Sequence, residues 1–238
     1  MYKRQTLQKD LGDDDLLTIF NEENKQDLLK RSLDLLAKIQ GLPQEEIPKL
    51  THDELVDQMH LFKDIFCINF LEVEPDNSID DLMLLTTENI KQQPLVNCHF
   101  DFERRNLILH QNQITVIDHQ DMKIGPLGID LSGILIDHYY PVNLTDINMM
   151  LDYFSKQIKS KHSPEELFNF LKWGSIQRNM RILGTLANLF TEHKRSFRLK
   201  DLPMILSNLE CMIPDNHKSR FFISEQLKPL LNKKLSDI

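Results

Sequence analysis

Glycine is scarce in this chain: there are seven in 238 residues, and only Gly12 and Gly41 precede Gly125. No G-x-G-x-x-G and no G-x-x-x-x-G-K-[ST] sequence occurs, so neither common glycine-rich phosphate cradle is written here. Cysteine is almost as rare. Cys67, Cys98 and Cys211 follow no pattern. This argues against a disulfide framework and for a reducing compartment, the cytoplasm. No H-E-x-x-H, no Cys/His zinc spacing and no G-x-S-x-G elbow is present. No apolar run reaches the roughly 20 residues that span a bilayer, and no secretory signal pattern is found. Bases are outnumbered, 28 against 36 acids, and the net charge of −8 speaks against nucleic acid or an anionic membrane as the main partner. A phosphorylated small molecule stays open, because magnesium would bring its own positive charge.

What the chain does have is helical periodicity and enough apolar residues, 41%, for a globular core. Residues 24–40 carry Leu28, Leu29, Leu33, Leu36 and Ile39 at helical spacing, and Gly41-Leu42-Pro43 stops the run. Thr51-His52-Asp53-Glu54 is a capping-box pattern that opens a helix with Leu55, Met59, Phe62 and Phe66 on one face. A polar segment over 72–81 precedes a further helix to about Gln92. Helices are also expected over 143–159, 164–190 (bent near Gly174), 201–211 and 218–231. Asp13-Asp14-Asp15 reads as a solvated turn with a helix N-cap. There is no internal repeat and no low-complexity tract.

One stretch carries chemistry: CHFDFERRNLILHQNQITVIDHQD, residues 98–121. Leu107–His110 and the run 114–118 are β-like, with 111–113 between them as a hairpin loop. A hairpin brings its outer ends together. Asn106 would enter the first strand and Asp118 leave the second, with Asp101 on the loop just before. This is the order of parts that phosphoryl transfer from ATP requires. A loop carboxylate orients the acceptor hydroxyl, while an amide oxygen and a second carboxylate hold magnesium against the phosphates. Magnesium takes few protein oxygens and fills its octahedron with phosphate and water, so one Asn and one Asp suffice. Alone, Asp101 could merely cap a turn; the matched positions of Asn106 and Asp118 favour the catalytic role. His99 reads as a brace for the loop. Arg105 could meet a phosphate or lie on the surface. Gln120 and Asp121 could touch substrate or a second metal, or simply be solvated.

His99-Phe100-Asp101 followed by Asn106 resembles the H-x-D-x-x-x-x-N loop of the aminoglycoside phosphotransferase-like kinases. Asp118-His119-Gln120-Asp121 stands where protein kinases have D-F-G. Gly125-Pro126-Leu127-Gly128-Ile129-Asp130-Leu131 resembles the G-P-x-x-Y-D-L segment of the bacterial cell-wall amino-sugar kinases, a subgroup acting on the anomeric hydroxyl of N-acetylmuramate and N-acetylglucosamine. Lys9-Asp10-Leu11-Gly12 is similar to their E-D-L-G hinge. The helix Gln177-Arg178-Asn179-Met180-Arg181-Ile182-Leu183-Gly184 is similar to their Q-R-x-x-K-x-x-G, with Asp201-Leu202-Pro203 after it. Phe100, His119 and Ile129 depart from the usual Arg, Phe or Trp, and Tyr, and none removes a metal or catalytic group.

The resemblance implies an α+β fold, a kinase-like C-terminal lobe, mostly helical, with the active site on a small β-hairpin. It implies ATP and Mg2+, Asp101 as the catalytic carboxylate, and Asn106 and Asp118 toward metal and nucleotide. Asp130 would accept backbone N–H bonds from the catalytic loop, and Glu54 lies near the family's substrate side. The expected acceptor is an amino sugar; an antibiotic or amino-alcohol kinase, and a non-catalytic binding module, are the alternatives. The N-terminal lobe, with its glycine-rich loop and strand Lys, is not found. The expected organisation is therefore a translated sequencing-adapter scar over 1–5, a hinge over 6–23, and the lobe from 24 to 238. Oligomeric state is open.

Overall fold

The computed structural model describes residues 9–158 and 162–238. The adapter reading of 1–5 lies outside the described residues. Helices dominate. A short α1 (Leu16–Ile19) leads into α2 (Lys25–Gln40), and α3 (His52–Leu61) continues as a π-helical segment, Phe62–Phe70. Then come α4 (Asn77–Lys91), β1 (Leu95–Cys98), the hairpin β2 (Leu107–His110) and β3 (Gln113–Val116), β4 (Lys123–Pro126) and α5 (Gly128–Leu135). The rest is helical: α6 (Leu144–Gln157), the 30-residue α7 (Pro164–His193), α8 (Leu202–Met212), α9 (Lys218–Phe222) and α10 (Lys228–Ser236), with a π turn at Ile223–Leu227 before α10.

The helix starts follow capping chemistry. In α3 the Thr51 hydroxyl accepts from the Glu54 amide at 3.2 Å and the Glu54 carboxylate accepts from the Thr51 amide at 2.8 Å, a reciprocal box. Ser163 and Glu166 repeat it at α7, with Pro164 in the first turn. Asp15 caps α1 by accepting from the Thr18 amide, as the N-cap reading of the acidic triplet expected. The apolar stripe of α2 is buried at all five expected positions.

Three expectations need correction. There are two β elements, not one: antiparallel β1–β4, and the hairpin β2–β3. The hairpin turn is two residues, Gln111-Asn112, and Gln113 belongs to β3. Both turn residues have positive φ (48° and 57°), the left-handed pair that lets a two-residue turn follow strand twist. The segment 72–81 is not wholly irregular, since α4 begins at Asn77 behind its Asp76 cap.

The core is built around α7, which packs against α3 and its π extension, α4, α5, α6 and α8. Its crossing with α5 is a backbone-on-backbone contact. A Cβ on Gly128 would lie 1.9 Å from the Phe170 carbonyl oxygen, and one on Gly174 would lie 2.4 Å from the Gly128 carbonyl carbon. Only glycine lets the two helices meet here. The crossing seats the first turn of α5 under the loop after β1 and sets the middle of α7 beside it. Gly174→Ala should therefore lower the unfolding free energy by about 3 kcal/mol in urea titration, since neither backbone can give way locally. A loss below about 1 kcal/mol would mean that the helices separate easily.

Candidate active site

The site begins at the end of β1. After Cys98 the chain must leave the strand sharply, and Phe100 takes a left-handed backbone (φ 69°) that non-glycine residues rarely adopt. What holds it is Asp130, in the first turn of α5. Its Oδ2 accepts from the His99 amide at 2.5 Å and its Oδ1 from the Phe100 amide at 2.9 Å. Asp130 is buried. Burial pushes its carboxyl up to about 6, against the pull of the two amides. The Phe100 ring lies on Gly125 of β4, where a Cβ would come within 2.8 Å of Phe100 Cζ. The position held by Arg in the subgroup thus carries a core aromatic here.

His99 is turned the other way. Its Nε2–H donates to the Ile117 carbonyl at 3.0 Å, tying the loop to the end of the hairpin. Burial lowers its pKa, so the ring is neutral and serves as a strut. The hairpin register runs from Leu107↔Val116 to His110↔Gln113, and the Ile117 amide donates to the Asn106 carbonyl at 2.9 Å. Asn106 and Asp118 therefore stand at the same end of the hairpin, as the strand pattern anticipated. Asn106 Nδ2 donates to the Asp101 carbonyl at 2.9 Å, which leaves Oδ1 without a donor among the described residues. Asp118, also left-handed (φ 67°), receives Gln120 Nε2 on Oδ1 at 2.9 Å and keeps Oδ2 unengaged.

A cleft of about 560 Å³ opens beside Asp118, lined among others by Lys9, Leu11, His110, Ile117 and Gln120. Its far wall is the segment before α1, which runs along β2: the Leu109 amide donates to the Asp14 carbonyl at 2.9 Å and His110 Nδ1 to the Leu11 carbonyl at 3.1 Å. Among the described residues, no three His, Cys, Asp or Glu side chains gather as a metal cage. Two unengaged hard oxygens suit a magnesium ion whose other ligands are phosphate and water.

Several side chains were not legible as site residues. Arg181, on α7, donates through Nη2 to the Phe100 carbonyl at 3.1 Å and to Asp101 Oδ1 at 3.2 Å. One turn earlier, Arg178 Nη2 donates to Glu103 Oε2 at 3.0 Å. Arg105, a candidate phosphate contact, is instead engaged by Glu103, with Nη2 at 2.6 Å. Burial pushes the Glu103 carboxyl up, but the Arg178 and Arg105 guanidiniums outweigh it and hold it at about 2. Glu54 is committed to its capping box and to Lys123 Nζ at 2.6 Å, and these partners hold its carboxyl at about 2. Asp121 ends the 3₁₀ turn His119–Asp121 and is exposed. The long-range pairs join residues 69 to 81 apart, so no local spacing announces them.

The sequence profile of the phosphotransferase enzyme family matches residues 6–154. The chain belongs to that family. It is 24% identical over 214 residues to an N-acetylmuramate/N-acetylglucosamine kinase of Neisseria meningitidis, covering 84% of this chain and 64% of that protein. It is also 24% identical to the protein of that name from Pseudomonas aeruginosa, covering 87% and 64%. The chain thus spans less than two thirds of these relatives. Among solved structures, a Plasmodium vivax ethanolamine kinase superposes with a TM-score of 0.63 at 14% identity, covering 89% of this chain and 65% of that one. A choline kinase of Cryptosporidium parvum gives 0.54 at 13% identity, covering 94% and 73%. These establish a shared fold. No helix among the described residues is long and apolar enough to cross a membrane.

The Asp130 carboxyl should titrate with a midpoint near 6 when followed by carbon NMR in the 238-residue chain. The sign follows from linkage. Its folded pKa lies above the ordinary 3.8, so the folded state binds the extra proton between about pH 4 and 6. This group's contribution to stability is therefore greatest below pH 4 and falls as pH rises through 6. A midpoint below 4.5 would show that the amide pair outweighs burial.

Proposed function

We propose that the chain carries the catalytic and metal-holding part of an ATP-dependent small-molecule kinase, with the anomeric hydroxyl of a cell-wall amino sugar as acceptor. The observation behind this is the hairpin end. Asp101 is offered on a clamped loop, with two unengaged oxygens, from Asn106 and Asp118, at the neighbouring strand ends. Asp101 would orient the acceptor hydroxyl and take its proton as its oxygen bonds to the γ-phosphorus and the bond from that phosphorus to the β–γ bridging oxygen breaks, with ADP leaving. Asn106 and Asp118 would hold magnesium, which screens the charge of the nucleotide's phosphates. The cleft beside Asp118 would seat that nucleotide. Little covalent chemistry is asked of the protein, since positioning and charge neutralisation account for most of such catalysis. The amino sugar is favoured by the relatives' names and by the Gly125–Leu131 and Gln177–Gly184 segments. A charged covering element over the β- and γ-phosphates would come from outside the described residues.

In the protein that carries out transfer, Asp101→Ala should abolish turnover while Mg-ATP binding persists. Asp118→Ala should weaken Mg-ATP binding and turnover together. Equal binding defects in calorimetry would contradict this division of roles.

The acceptor is tested by comparing kcat/KM for N-acetylmuramate, N-acetylglucosamine and kanamycin across ionic strength. Turnover of N-acetylglucosamine should change little between low and moderate salt, because hydrogen bonds hold an uncharged sugar. A steered polycation would lose rate steeply. Preference for kanamycin with strong salt inhibition would overturn the sugar assignment.

A further inference from the structure

We propose that Arg181 is the positioning residue for Asp101, holding one carboxylate oxygen so that the other faces the acceptor hydroxyl. This rests on the functional reading above and adds a residue to it. Arg181 Nη2 is shared between the Phe100 carbonyl and Asp101 Oδ1. The Phe100 amide is already taken by Asp130. The residue with the left-handed backbone is thus pinned at both ends, by α5 on its amide and by α7 on its carbonyl. Asp101 Oδ2 receives no donor from the described residues, so it is the oxygen left for a substrate.

The two arginines of α7 divide the work. Arg178 has a side chain 1% exposed and meets Glu103, which is 6% exposed. Removing it would leave the buried Oε2 of Glu103 without its arginine, with only Arg105 on Oε1, which is a folding defect. Arg181 is 20% exposed and its partner Asp101 is 49% exposed. A pair so open to water contributes little to folding. Yet it spans 80 residues of sequence and lands on the one carboxylate of the loop that faces solvent. Its consequence is therefore geometric. A guanidinium with fixed planar donors serves two acceptors at once, while an ammonium can reach them only as a point charge.

Two measurements test this together. In the 238-residue chain, the backbone amides of Asp101 and Phe102 should give single sharp NMR signals in the natural protein. They should be broadened or doubled in Arg181→Met and partly restored in Arg181→Lys, with the unfolding midpoint shifted by no more than about 2 °C. Arg178→Met should instead lower the midpoint clearly. In the protein that carries out transfer, Arg181→Met should lower kcat by about 100-fold with KM for nucleotide nearly unchanged, and Arg181→Lys should recover part of the loss. Unchanged loop signals in Arg181→Met would overturn the positioning role whatever the chemistry proves to be. Disturbed signals with unchanged kcat would remove its catalytic meaning. Disturbed signals in a protein where Asp101→Ala transfers phosphate normally would instead overturn the catalytic role given to Asp101 in the functional reading, and the proposal with it.

Discussion

The carboxylate of Asp130, closed over the amides of His99 and Phe100, is the interaction on which the site depends. It replaces the strand pairing that the chain gives up after Cys98 and holds Phe100 in a backbone region it would not choose. A buried carboxylate is costly unless its oxygens are filled, and two amides fill them. That arrangement requires α5 to start directly beneath the loop. The Gly128–Gly174 crossing makes this possible by letting α5 and α7 touch through their backbones. The same crossing sets Arg178 and Arg181 beside the loop, so one packing decision places both the clamp and its counter-charges.

Beneath the loop lies a second layer of charge. Glu103 is met by Arg178 and Arg105, and Arg104 meets Asp137 at 2.8 Å with its guanidinium over the Phe20 ring. His138, buried and held neutral near a pKa of 3 by loss of solvent, stands 3.6 Å from Glu103. Buried ion pairs of this kind seldom raise net stability over apolar packing. What they do here is tie Glu103 to Arg178 and Arg104 to Asp137, while Arg105 closes back on Glu103. The loop is left no alternative register, and Asn106 enters β2 from a fixed position.

The site was legible in the sequence where spacing and strand pattern coincide. Asp101, Asn106 and Asp118 lie at the places a short hairpin would bring together, and β-branched runs with a polar pair between them mark such a hairpin even without glycine in the turn. The helices with clean caps and apolar stripes were equally readable. What stayed hidden had no local signature. The α5 segment, Gly-Ile-Asp-Leu-Ser-Gly, was not among the expected helices; it contains two glycines and is helical where it packs on α7. Arg105 was open between a phosphate contact and the surface, and only the fold shows Glu103 beside it. Arg181 stood in a segment of family resemblance without a role, because its partners lie 80 and 81 positions away. Glu54 was readable as a cap, and the fold adds Lys123 as its partner.

The central claim is that the open end of the β2–β3 hairpin holds the metal–nucleotide complex. Manganese can stand in for magnesium, and its unpaired electrons broaden nearby NMR signals with steep distance dependence. Titrating manganese–ATP into the 238-residue chain should broaden the Asn106 side-chain amide and the Asp118 backbone amide first. The lining of the separate cavity at Tyr140–Asp146 should stay sharp. Broadening that began in that cavity, or that spread evenly over the acidic surface, would contradict the account.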